Sequence, residues 1–164
     1  MFITVMNISS LFESENKLRK ITPPTLALLC LLGMIALYWI SPAKLISSWV
    51  FLIFGLGFMT LGIVIAISAE DQFRRSHTTV DHLGLPTRLV TDGWFKHSRN
   101  PMYLSFALLL MGASLVLGSV SSLIGVMVYL FITRRWYIVP EEKRLVATFG
   151  KQYESYQRRT RRWL

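Results

Sequence analysis

Residues 21–40 and 45–67 form two apolar stretches of 20 and 23 residues without a single charged side chain. A helix needs roughly 20 such residues to cross about 30 Å of hydrocarbon, and only a segment that satisfies its own backbone hydrogen bonds survives there. Two membrane-spanning helices are therefore expected. Two shorter stretches, 102–117 and 120–132, of 16 and 13 residues, are interrupted only by Gly118-Ser119. They read as a tight helical hairpin whose second arm continues through Arg134 and Arg135 into the interface. The expected fold class is an all-α integral membrane protein of about four transmembrane helices, the third and fourth paired as that hairpin, with an amphipathic C-terminal helix on the interface. At 164 residues the chain has room for one compact domain. Its parts are spans at 21–40 and 45–67, a loop at 68–100, the hairpin at 102–139 and the C-terminal helix at 141–158.

Counted by segment, Lys and Arg number 3 before the first span, 1 (Lys44) between the first two, 5 in the loop, none at the hairpin tip and 9 from Arg134 onward. Four spans place 17 of these 18 on one side of the membrane, which by the positive-inside bias is the cytoplasm, together with both termini. The net charge of +9 then follows from topology and from attraction to anionic headgroups. A basic run such as Arg158-Arg159-Thr160-Arg161-Arg162 also suits nucleic acid, but no recognition module accompanies it, so a nucleic-acid partner is not expected.

Cys30, the one cysteine, lies within the first span and reads as a small apolar residue, which leaves neither a disulfide framework nor a thiolate metal site. His77, His82 and His97 share one loop at spacings of 5 and 15, whereas a helical ligand pair needs i and i+4, so no metal is expected. The first 20 residues differ from a secretory signal, because positive charge arrives only at Lys17 and the apolar stretch that follows is too long. Residues 1–12 read instead as an interfacial segment held by Phe2, Ile3, Val5, Met6, Ile8, Leu11 and Phe12.

Polar residues gather at both ends of the hairpin. Before it stands Asp92-Gly93-Trp94-Phe95-Lys96-His97-Ser98-Arg99-Asn100-Pro101-Met102-Tyr103, and after it Glu141-Glu142-Lys143-Arg144-Leu145. Asn100-Pro101 is a helix start, with Asn to cap the free amides and Pro at the first position. Crowding by Lys96, His97, Ser98 and Arg99 exceeds what a cap requires. A helix N-terminus beside an arginine matches a carboxylate or phosphate. Glu141 and Glu142, directly after Pro140, suit the first turn of a new helix. Leu145, Phe149, Tyr153 and Tyr156 then form one stripe along it, and Gly150 suggests close packing against that turn. An antiparallel hairpin returns both clusters to one membrane face.

Taken together, residues 87–95, the run Arg99-Asn100-Pro101-Met102-Tyr103-Leu104-Ser105 and the pattern Glu141-Glu142-x-x-Leu145-x-x-x-Phe149-Gly150-x-x-Tyr153-x-x-Tyr156 resemble the isoprenylcysteine carboxyl methyltransferase family. They are similar in equal measure to its bacterial relatives and to the phospholipid N-methyltransferases. The resemblance covers residues 77–163 and implies an S-adenosyl-L-methionine-dependent methyltransferase embedded in the bilayer, acting on a lipophilic or small membrane-accessible acceptor. It carries cofactor contacts onto Thr87, Arg88, Leu89, Val90, Phe95, Arg99, Asn100, Pro101, Met102, Tyr103, Glu141 and Glu142. In that reading Leu89, Val90, Phe95 and Met102 surround adenine, Asn100 and Tyr103 bond the amino-acid portion or the ring, and Glu141 takes a hydroxyl or the ammonium. The acceptor side falls on Arg134 and Tyr137. This chain departs from the isoprenylcysteine enzymes at Asn100, where they commonly carry His, at Phe95, where they commonly carry Tyr, and at Tyr137, where they carry the substrate-side arginine.

Two other readings use the same residues. Membrane sterol reductases look similar in fold, and Arg88, Lys96 and Arg99 offer cations for the 2′-phosphate of NADPH. A non-enzymatic four-helix scaffold would use small residues on the second span, Gly55 and Gly62, to seat a partner helix, although the same residues serve internal helix packing equally well.

Overall fold

The computed structural model of the protein describes residues 21–40, 49–75 and 89–164. The interfacial segment expected at residues 1–12, together with Lys44, His77, His82, Thr87 and Arg88, lies outside the described residues. Helix α1 spans Pro23–Ile40, α2 Trp49–Arg75 and α3 Pro101–Leu117. A single 3-10 turn, Gly93–Lys96, precedes α3. Helix α4 runs over Leu123–Phe149 and α5 over Lys151–Arg159. Helices α1, α2 and α4 are long and apolar enough to cross a membrane. The 17 residues of α3 rise about 25 Å at 1.5 Å each, slightly short of the hydrocarbon thickness. The chain is an all-α integral membrane protein, and its surface agrees: Leu28, Leu32, Ile53, Phe54, Met127 and Phe131 are exposed, as side chains facing lipid are. Trp39 and Trp49 stand exposed where α1 ends and α2 begins, the level at which indole rings favour the bilayer interface.

Among the described residues, helices α2 and α3 share the most extensive helix–helix contact. A Cβ placed on Gly55 would lie 2.8 Å from the Gly112 carbonyl oxygen, and one on Gly62 would lie 2.8 Å from that of Ser105. The two contacts are seven residues apart on each helix and run in opposite directions, so one small-residue seam joins the antiparallel pair. Lipid gives helices no hydrophobic reason to associate, and close backbone packing of this kind takes its place. Gly55 and Gly62 thus serve the packing of α3 inside the chain.

On its other side α3 packs with α1 and α4 around Leu26, Cys30, Met34, Ala107, Leu110, Val126, Tyr129, Tyr137 and Ile138. Cys30 is free and buried there, behaving as the small apolar residue expected. The hairpin tip turns at Gly118, whose φ of 60° ends α3 in the left-handed cap that glycine adopts readily. Buried serines satisfy one another at the tip: Ser114 Oγ lies 2.6 Å from Ser122 Oγ, and Ser122 Oγ donates to the Ser119 carbonyl at 2.6 Å.

The C-terminal half differs from the sequence reading in where its helices break. No new helix opens at Glu141; α4 passes straight through Pro140. A proline inside a helix lacks its amide and drives its ring toward the carbonyl four residues back. Here the turn just before it, Thr133–Ile138, is π-helical, with the Val139 amide donating to the Arg134 carbonyl five residues earlier. The wider turn absorbs the proline. The break comes instead at Gly150, with φ 50° and ψ −126°, which divides the expected helix 141–158 into the end of α4 and α5. Nothing lies within 4 Å of a Cβ built there, so Gly150 supplies a backbone conformation rather than close packing.

Candidate functional site

The antiparallel hairpin brings its two polar ends together. The Tyr103 hydroxyl, one turn into α3, donates to Glu141 Oε2 on α4 at 3.0 Å. The Tyr103 and Tyr137 rings lie 6.3 Å apart. Beside them Arg99 Nη2 meets Glu142 Oε1 at 3.1 Å, both side chains only 10% exposed. Consecutive residues of a helix point about 100° apart. Each glutamate accordingly serves a different neighbour: the half-exposed Glu141 a pair of buried tyrosines, Glu142 a buried cation.

A third element, which the sequence reading assigned to anionic headgroups, completes the cluster. After α5 the C-terminal tail folds back over residues 95–100. Arg162 grips Glu142 with a bidentate fork, Nε to Oε1 at 3.0 Å and Nη2 to Oε2 at 2.6 Å. Its carbonyl accepts from Asn100 Nδ2 at 2.9 Å and from Ser98 Oγ at 3.4 Å. The Arg161 carbonyl accepts the Arg99 amide at 2.9 Å, and the Tyr156 hydroxyl donates to the Phe95 carbonyl at 2.6 Å. Glu142 raises the pKa of the Arg162 guanidinium by bonding its charged form. Burial pushes the Tyr153 phenol up to about 12, helped by the Glu142 charge nearby, and pushes Tyr156 up as well. No local pattern announces Arg162, because its partners lie 20 and 62 residues away in sequence.

Asn100 sits at the N-cap position of α3, as expected, but makes no capping bond with its side chain; the amide is turned to the tail instead. Pro101 is buried in the first turn and Met102 half-buried. Leu89 and Val90 stand apart from this cluster. With Ser68, Asp71, Gln72, Arg75 and Asp92 they line an open cavity of about 440 Å³ at the charged end of α2. Gln72 ties the two sides, its Nε2 donating to the Asp92 carbonyl and its Oε1 accepting the Trp94 amide at 3.3 Å. Phe95 is buried, its ring 5.5 Å from Phe73 of α2. Tyr137, on the π turn, faces inward and donates its hydroxyl to the Ile21 carbonyl, while Arg134 is exposed. His97 is exposed, packed edge-on to Trp94. The candidate residues thus fall into a cavity group at α2, a mouth at Tyr103, Tyr137 and Glu141, and an ion-paired group at Arg99, Asn100 and Glu142.

Residues 50–152 match the family model described as phospholipid methyltransferase, and the match stops short of the tail that carries Arg162. Among curated relatives, the chain is 34% identical over 113 residues to a protein-S-isoprenylcysteine O-methyltransferase of Schizosaccharomyces pombe, covering 63% of this chain and 45% of that protein. The chain therefore spans a little under half the length of that relative. It is also 36% identical over 63 residues to an uncharacterized protein of Haemophilus influenzae, covering 38% of this chain and 100% of that protein. No solved structure matches. A hairpin that joins Arg99-Asn100-Pro101 to Glu141-Glu142 inside the matched region, in an all-α membrane fold, places the chain in the phospholipid methyltransferase family.

Proposed function

We propose that the protein is a membrane-embedded, S-adenosylmethionine-dependent methyltransferase whose cofactor binds at the mouth of the hairpin and whose acceptor is a lipophilic or small membrane-accessible molecule. The observation that carries this reading is the meeting of the two hairpin ends, Tyr103 on Glu141 and Arg99 on Glu142, at one membrane face. The donor set fits the cofactor. Arg99 Nε is buried without a hydrogen-bond partner, and the Asn100 side chain leaves the first-turn amides of α3 uncapped. Both suit a carboxylate. Glu141, beside two tyrosine rings, suits a ribose hydroxyl or an ammonium.

The cofactor supplies a methyl group already activated on a sulfonium, so the chain needs to orient donor and acceptor and exclude water, where orientation alone is worth several kcal/mol. Arg99, Asn100 and the α3 N-terminus hold the amino-acid end. Glu141 and Tyr103 hold the sugar or ammonium, and Leu89 and Val90, which line the separate cavity at the end of α2, take no part in this placement. The acceptor approaches sideways from the bilayer past Arg134 and Tyr137. Since the Tyr137 hydroxyl is engaged with the Ile21 carbonyl, the acceptor's polar group meets the exposed Arg134. The basic-residue distribution puts this mouth and both termini on the cytoplasmic side.

Calorimetric titration of S-adenosylhomocysteine into the detergent-purified protein, with NADPH in parallel, tests the reading. Micromolar binding of the nucleoside, lost in Glu141→Ala and Tyr103→Ala, is the expected outcome. Full binding by both variants would overturn the placement, and binding of NADPH alone would overturn the activity.

A further inference from the structure

We propose that Arg162 is a positioning residue of the cofactor site, and that through it the C-terminal tail tunes the site for the zwitterionic amino-acid end of its ligand; the proposal rests on the methyl-transfer reading above. One carboxylate, Glu142, serves two guanidinium groups. Arg162 occupies it side-on, taking both oxygens, and so leaves Arg99 an end-on contact through Nη2 to Oε1 alone. A carboxylate free of Arg162 would take Arg99 side-on, through Nε and a terminal nitrogen together, because that bidentate geometry is the stronger one. With Arg162 in place, Arg99 Nε stays buried and without a partner among the described residues, next to the first turn of α3. The trio of two guanidiniums and one carboxylate also keeps a net positive charge there.

The tail's backbone sets the second polarity. Its Arg162 carbonyl takes one N–H of the Asn100 amide, which fixes the orientation of that side chain and leaves its oxygen as an acceptor for a ligand. A guanidinium donor and an amide acceptor on adjacent residues match the carboxylate and ammonium of an α-amino acid. The tail is not a loose end that happens to touch the site. Trp163 packs against the core shared by α1, α3 and α4, Thr160 is buried, and the Arg99 amide is bonded to the Arg161 carbonyl. These contacts fix where the Arg162 fork sits.

The test compares S-adenosylhomocysteine with 5′-methylthioadenosine, which keeps the nucleoside and thioether but lacks the amino-acid end. Calorimetry is run on wild type, Arg162→Ala, Arg162→Lys and the exposed control Arg158→Ala. Arg162→Ala is expected to weaken S-adenosylhomocysteine at least about tenfold, the worth of one charge-assisted hydrogen bond, while leaving 5′-methylthioadenosine within about twofold. Arg162→Lys keeps the charge without the fork and should recover only part of the loss; it carries the test if the alanine variant fails to fold. Arg158→Ala should match wild type. Equal weakening of both ligands, or of neither, would overturn the positioning role while leaving the methyltransferase reading intact. Failure of wild type to bind either ligand would overturn that reading, and the proposal with it.

Discussion

The adjacent glutamates offer the sharpest check on how this site is built, because the structure gives them opposite duties. Glu142 is 8% exposed and faces two arginines, one of them, Arg99, with a side chain only 10% exposed. Glu142→Ala strands that buried charge. Removing one partner of a buried pair costs about 3–5 kcal/mol. Arg162, 31% exposed, can turn toward water once released, so the lower end applies, about 3 kcal/mol. For a chain of this size that corresponds to a melting point lowered by roughly 6–12 °C. Glu141 is half-exposed and takes the Tyr103 hydroxyl at 3.0 Å. Its loss, screened by solvent, should cost about 1 kcal/mol or less and roughly 2–4 °C. Ligand binding should reverse the order of damage, with Glu141→Ala losing S-adenosylhomocysteine outright. Thermal unfolding in one fixed detergent, followed by tryptophan fluorescence and paired with calorimetry, reads both quantities. Should Glu142→Ala melt within about 2 °C of wild type, or Glu141→Ala fall as far as its neighbour, the division of labour argued here is wrong.

Three further outcomes follow from other parts of the molecule. Gly112→Val should destabilise the α2–α3 seam by about 1–3 kcal/mol, since a Cβ at Gly112 already crowds the Gly55 carbonyl and Met59; an unchanged melting point would remove the seam from the account. The Tyr153 phenol is ionised near pH 10 when unfolded but near 12 when folded, so the folded state holds its proton longer and stability falls as pH rises through that window. Tyr153→Phe should flatten the alkaline fall in melting temperature, and an identical slope in the variant would assign the fall elsewhere. Asn100→His restores the residue common in the isoprenylcysteine enzymes but offers the Arg162 carbonyl a ring nitrogen in place of an amide. It should make S-adenosylhomocysteine binding pH-dependent near the imidazole range, and a flat profile from pH 5.5 to 8 would count against contact between that position and the ligand.

Much of this arrangement was legible in the sequence because the bilayer imposes few solutions. Uncharged runs at 21–40 and 45–67 leave little choice but helices, and Asn100-Pro101 and Gly118 mark the two ends of α3 by local chemistry alone. The meeting of Arg99 and Tyr103 with the glutamate pair followed from antiparallel topology. What escaped depends on contacts that sequence spacing does not encode. Arg162 reads as one more solvated charge in a basic run, and only the fold reveals that Glu142 has two cations to balance. Pro140 reads as a helix start because proline usually is one, while its tolerance inside α4 depends on a π turn that no residue pattern signals. Leu89 and Val90 were grouped with Arg99 by resemblance, yet they sit with Asp71 and Gln72 across the loop, where the end of α2 supplies a wall that the motif does not include.

The π turn links that local irregularity to the chemistry. Its bonds close five residues back instead of four, so everything beyond it is turned by about one residue, roughly 100°, relative to an unbroken α-helix. That phase carries Tyr137 and Ile138 into the core and leaves Arg134, Arg135 and Trp136 outside. Four and five residues further on, it sets Glu141 toward Tyr103 and Glu142 toward Arg99. An ideal α-helix of the same sequence would advance the pair by one position, bringing Glu141 to the place of Glu142 and setting Pro140 opposite Tyr103, which would lose its acceptor. A proline placed after the turn makes the wide conformation the cheaper one, because it forgoes the amide that an α-helical bond would need and avoids the clash that such a bond would bring. The helix that crosses the membrane and the carboxylates that shape the site are therefore held in register by the π turn and the proline that follows it.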